Sequence, residues 1–175
     1  MNGNQSDNSA PYAGAVYTFI RSPGDTYCFG DGIDSVVTAQ CPCGNVGDPG
    51  HGCANSNASL GGALLTASGT TSPNALLFTC TGIPNNNLCT FLRGTTNDAT
   101  GTVFGDGIKC VTGAAPRFGQ QTSGQGGNPP NTVQSGTATV TAGNTRYYQV
   151  HYRNPSAGFC PPELFNVSNG FRLTW

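Results

Sequence analysis

The clearest pattern in this chain is the one-for-one alternation in Thr145-Arg146-Tyr147-Tyr148-Gln149-Val150-His151-Tyr152-Arg153. A period of two sends Tyr148, Val150 and Tyr152 to one face of a strand and Tyr147, Gln149, His151 and Arg153 to the other, so the first set is the predicted core. Phe171, Leu173 and Trp175 repeat at the same spacing, which predicts a last strand that buries its own end, with Trp175 in the core. Residues 76–80 and 88–92 are two short apolar runs flanking Gly82-Ile83-Pro84-Asn85-Asn86-Asn87. That turn chemistry predicts a hairpin in which Cys80 faces Cys89, Phe78 faces Phe91 and Leu77 faces Leu92. One more strand is predicted over residues 13–21, where Ser22-Pro23-Gly24 ends the run. The three-to-four spacing of an amphipathic helix is missing throughout. The expected fold is all-β, a disulfide-stapled antiparallel β-sandwich of jelly-roll or Ig-like type.

Composition sharpens this picture. The 175 residues are enough for one domain with a core of its own, and 26 Gly and 12 Pro supply the turns that short strands need. Eight cysteines beside a single lysine and 9% charged residues place the chain in an oxidising compartment, secreted or at the cell surface. The net charge of −1 leaves no basic stripe to neutralise phosphates, which argues against a nucleic-acid partner. No apolar run approaches the roughly 18 residues of a membrane span. The opening Met1-Asn2-Gly3-Asn4-Gln5 has no leader character, so an exported chain of this kind is expected to have lost its signal or to be part of a longer protein.

The hairpin reading pairs Cys80 with Cys89, and a bridge between Cys110 and Cys160 would close a large loop worth about 4 kcal/mol in the chain-entropy model. Cys28, Cys41, Cys43 and Cys53 remain, with three possible connectivities. Cys41-Pro42-Cys43 is too tight to close on itself, so these two are expected to reach Cys28 and Cys53 separately. A zinc knuckle of Cys41, Cys43, Cys53 and His51 is the rival, and its C-x-C and H-x-C spacings fit structural zinc poorly.

Candidate chemistry is sparse. The nucleophile elbow, the P-loop and the dinucleotide fingerprint are absent, and Glu163 is the one glutamate. A metal-dependent hydrolase would need His51, in Asp48-Pro49-Gly50-His51, to meet His151 and one of Asp31, Asp48 or Asp106. Phe29-Gly30-Asp31-Gly32, followed by Asp34, and Phe104-Gly105-Asp106-Gly107 read either as hairpin turns or as oxygen-rich calcium sites. Six Tyr, nine Phe and many amides suit a non-catalytic module that binds polysaccharide or another cell-surface ligand. Residues 119–131 read as an uncharged Gly/Gln-rich loop, a linker or a ligand contact. Low charge also suits a self-assembling module, a homo-oligomer joined through residues 13–21.

Residues 14–21, after the polar Ser6-Asp7-Asn8-Ser9, resemble the closing strand of an FG-GAP repeat, the blade unit of integrin-type β-propellers. Tyr27-Cys28-Phe29-Gly30-Asp31-Gly32, Cys41-Pro42-Cys43-Gly44-Asn45, Gly50-His51-Gly52-Cys53-Ala54-Asn55-Ser56, Gly101-Thr102-Val103-Phe104-Gly105-Asp106-Gly107, Arg146-Tyr147-Tyr148-Gln149-Val150 and the closing stretch from Phe165-Asn166 to Trp175 carry a second resemblance. Together they are similar to a Cys-rich C-terminal domain of large secreted or surface proteins of environmental bacteria, which often follows FG-GAP-type repeats. The resemblance implies residues 1–25 as a polar segment plus a repeat remnant, and residues 26–175 as an accessory terminal domain. It implies no substrate.

Overall fold

The structure is a computed structural model that describes residues 22–114, 116–136 and 140–175. The strand expected at residues 13–21, with its repeat likeness and its part in self-assembly, lies outside them. The alternating stretch forms strand β9, Thr145–Arg153, and Tyr148, Val150 and Tyr152 are fully buried as its period requires. On one edge β9 pairs with β4, Leu88–Gly94, which pairs in turn with β7, Arg117–Thr122. On the other edge it pairs with β10, Phe165–Val167, and β11, Gly170–Thr174. β1, Asp25–Tyr27, completes this six-stranded antiparallel sheet beside β11, so the expected boundary near residue 25 falls inside a strand of the sheet.

A second sheet, β2 (Leu64–Ser68), β3 (Leu77–Thr81) and β8 (Val133–Gly136), packs on one face of the first. Leu65, Ala67, Phe78, Cys80 and Val133 come from the small sheet and meet Cys89, Phe91, Tyr148, Val150, Tyr152, Phe171 and Leu173 from the large one. The Phe78 and Tyr148 rings lie 4.4 Å apart between centroids, and Phe118, at a β-bulge in β7, sets its edge against both. Trp175 is half-buried against this core and donates its indole N–H to the Tyr148 hydroxyl at 3.1 Å. The all-β sandwich expected from the period-two pattern is therefore present.

The hairpin expected at residues 76–92 does not form. Cys80 pairs with Leu65 and Val133, whereas Cys89 pairs with Gln121 and Tyr152, so β3 and β4 belong to opposite sheets and residues 82–87 cross between them. Both strands turn an apolar face inward, and those faces stack in the sandwich core. Cys80 and Cys89 are consequently buried free thiols in the sandwich core. Burial raises both, with the neighbouring Cys89 adding to the effect on Cys80, and the Cys89 thiol is pushed up to about 12. The Gly/Gln-rich stretch also departs from the loop reading, since its first residues form edge strand β7.

The second face of the large sheet is covered over part of its area. A hairpin of β5, Thr96–Phe104, and β6, Gly107–Thr112, lies across it together with the loops of residues 28–57. Gln149, expected on a polar face, is fully buried there. Its Oε1 accepts from the Cys110 and Val111 amides at 2.8 and 3.1 Å, and its Nε2 donates to the Ile108 and Ser168 carbonyls at 3.0 and 2.9 Å.

All three disulfides fasten this layer. They join Cys28 to Cys110, Cys41 to Cys53 and Cys43 to Cys160. Cys41 thus meets Cys53 as one of the open connectivities had it, but Cys110 and Cys160 do not meet each other. Each instead takes a cysteine of the N-terminal loop, because β6 and the loop before β10 both border that segment. Loops of 82 and 117 residues are worth about 5 kcal/mol each by chain entropy, and the 12-residue loop about 3 kcal/mol.

Two outcomes are expected. Gln149→Ala strands four buried backbone groups and should cost roughly 4 kcal/mol, read as a lowered urea midpoint with an unchanged slope. Titration with a thiol reagent under non-reducing conditions should count two thiols in denaturant and essentially none in the native protein, because Cys80 and Cys89 are buried and protonated.

Candidate functional site

The loops of residues 28–57 hold the candidates Asp31, Asp34, Asp48 and His51. Asp31, Asp48 and His51 line one cavity of about 250 Å³ with Phe29, Ile33 and Val46. His51 Nδ1 lies 2.8 Å from the Gly62 carbonyl, which can only accept, so in the neutral ring the proton is on Nδ1 and Nε2 keeps its lone pair. Asp31 is spoken for locally, its Oδ1 accepting from the Ile33 and Asp34 amides at 3.0 and 3.1 Å. Asp34 is buried, with Oδ1 accepting from Val36 N at 2.8 Å and Oδ2 from Cys28 N. The first Phe-Gly-Asp-Gly is thus a turn folded around its own carboxylates. Gly30 is required there, since at φ 71° a Cβ would stand 2.5 and 2.7 Å from the sulfurs of the Cys41–Cys53 bridge.

The second Phe-Gly-Asp-Gly is the turn between β5 and β6, as its hairpin reading predicts. Asp106 is wholly buried. Its Oδ2 accepts from Asn154 Nδ2 at 2.5 Å, its backbone carbonyl accepts from Asn45 Nδ2 at 2.9 Å, and its Oδ1 has no partner. Burial raises its pKa above the ordinary carboxylate value; the Asn154 hydrogen bond opposes this and the nearby Glu163 adds to it. Among the described residues no three His, Cys, Asp or Glu side chains come together as a metal-holding group. The calcium candidates Asp31, Asp34 and Asp106 are not gathered, and Cys41, Cys43 and Cys53 of the zinc candidate are consumed in disulfides.

His151 lies elsewhere, on the large sheet's outer face. Its ring packs edge-on against Phe104 at 5.6 Å and Phe165 at 5.3 Å, and those two rings are 4.9 Å apart. Lys109 Nζ sits 5.3 Å from the Phe104 centroid, in cation–π range. Burial, then the charges of Arg117 and Arg153, lower the His151 pKa, so the imidazole is neutral at pH 7. The two histidines therefore do not share the cleft that a metal-dependent hydrolase would use, because His51 belongs to the loop cavity and His151 to the sheet.

Directly paired residues of an antiparallel sheet share a face, which defines what surrounds His151. One row holds Arg117, Leu92 and Gln149; the next holds Gln120, Thr90, His151 and Val167; Thr122 with Leu88, and Arg153 with Phe165, lie beyond. Gln149 and Val167 are buried beneath the β5–β6 layer, whereas Arg117, Gln120, Arg153 and Leu88 are exposed. The open part is thus an apolar floor with amide and hydroxyl side chains, aromatic edges and cations at its rim. Alternation along β9 put His151 and Arg153 on one face, but Arg117, Gln120, Phe104, Lys109 and Phe165 join them only through strand pairings that local sequence does not specify.

The molecule belongs to the class of disulfide-stapled antiparallel β-sandwiches. No protein-family model matches the chain, and neither a curated protein nor a solved structure proved similar to it.

Asp106 gives this region a pH signature. A carboxyl whose folded pKa is raised favours the folded state while protonated, and that contribution is lost as pH rises from the ordinary carboxylate value through the raised one. Between about pH 4 and pH 7 the stability difference between Asp106→Asn and the parent should shift in favour of the variant, as read by urea unfolding at each pH.

Proposed function

We propose that this protein is a non-catalytic extracellular binding module, the terminal part of a larger secreted or surface protein, that holds polysaccharide on the outer face of its large sheet. The observation carrying this reading is the composition of the open rows. Gln120 and Thr122 offer an amide and a hydroxyl beside Leu88 and Leu92, next to the Phe104, His151 and Phe165 rings. Sugars present hydroxyls at their rim and C–H groups on their ring faces, and such a surface meets both.

One further observation supports an extracellular setting: three disulfides are compatible with an oxidising compartment. The catalytic alternative draws no support from the placement of His51 and His151.

Pull-down on a panel of soluble and insoluble polysaccharides tests the reading. Phe104→Ala should weaken retention about tenfold by removing the ring that steadies His151. Thr66→Ala, on an exposed position of the small sheet, should leave it unchanged. Absence of retention on every polysaccharide would overturn the proposal.

A further inference from the structure

Building on that reading of the sheet face, we infer that its ligand is an acidic polysaccharide, a chain whose sugar units carry carboxylate groups. Three of the seven cationic residues of a chain with net charge −1 gather here: Lys109 above Phe104, and Arg117 and Arg153, whose charges are felt at His151. None of the three is in an ion pair among the described residues, where the one salt bridge joins Arg172 to Asp25. Nearby carboxylates make no ion pair with them: Asp98 accepts hydrogen bonds from Thr100 and Thr102, Asp106 is buried in its turn, and Glu163 is exposed. The outward rows of β7, β4, β9 and β10 contain no carboxylate. The open rows therefore carry unpaired cations and no carboxylate in a molecule of net charge −1, and a complementary ligand brings negative charge.

Geometry narrows the ligand further. Arg117 and Arg153 are two strands apart, and the Arg117 row meets β9 at Gln149, four residues before Arg153. Ordinary sheet spacings put their Cα atoms roughly 15 Å apart. A monosaccharide cannot reach both, and an extended chain can. Beside the cations lie Gln120 and Thr122, neutral hydrogen-bonding groups that match sugar hydroxyls. Three cations on a floor of leucines are too few and too apolar for a nucleic-acid track, which depends on a run of phosphate contacts.

The deciding experiment measures binding of the whole protein to polygalacturonate, to the same polymer with its carboxylates methyl-esterified, and to polyglutamate. Polygalacturonate should bind, weaken as salt is raised, and lose at least about tenfold in affinity in the double variant Arg117→Gln/Arg153→Gln. Both arginines are exposed, so the variant should keep the parent melting temperature. Esterified polymer should bind about tenfold more weakly than the free acid. Equal binding of the esterified polymer, or an unaffected double variant, would overturn the acidic ligand while leaving the polysaccharide reading intact. Binding of polyglutamate with no binding of either sugar polymer would overturn both, as would no binding at all.

Discussion

Strand β9 has to be buried along one face and, at Gln149, on the other as well, and most of this architecture follows from that requirement. One face is apolar, and its tyrosines and valine are satisfied by the small sheet stacked against it. The other carries an amide at Gln149, which cannot be left dry without partners. Four hydrogen bonds to main-chain groups of β6 and the residues before β11 meet all of its needs. A side chain so fully engaged fixes where the β5–β6 hairpin crosses the sheet. Where that hairpin ends, the rest of the face opens, so the position of one buried amide also sets the edge of the candidate binding surface.

The two sides of the large sheet are stabilised by different means. Between the sheets, fifteen buried residues form a continuous apolar core in which both unbridged cysteines serve as small hydrophobic groups. On the opposite side the buried cluster contains only seven residues, four of them half-cystines, beneath loops with almost no regular structure. Covalent links lie where hydrophobic burial is thin. The same division explains why every bridge avoids the sandwich interior.

Period-two patterning made the fold class legible, because inward residues such as Tyr148, Val150, Tyr152, Phe171 and Leu173 must be apolar wherever their strands pair. It could not show which strands pair. Residues 76–80 and 88–92 have the local chemistry of a hairpin, and only the choice between edge pairing and face stacking, made by the whole core, separates their sheets. The bridge pattern turns on that same choice: with β3 and β4 in opposite sheets Cys80 and Cys89 stay free, and Cys110 and Cys160 each pair with a cysteine of the N-terminal loop. β7 escaped notice because an edge strand of glutamine and threonine has little apolar signal. The Phe-Gly-Asp-Gly turns were readable from their glycines. The cationic face was not, as its members come from strands spread between residues 88 and 165 and each looks unremarkable alone.

The overlapping bridges have a consequence for resistance to cleavage. Cys28–Cys110 and Cys43–Cys160 together enclose every peptide bond from Cys28 to Cys160 within at least one covalent ring. A protease that nicks an exposed tip such as Gln125-Gly126-Gly127 once releases no fragment, because the two halves remain joined through Cys43 and Cys160. The clipped chain remains one covalent molecule, so a cut of this kind becomes visible as separate pieces only after reduction.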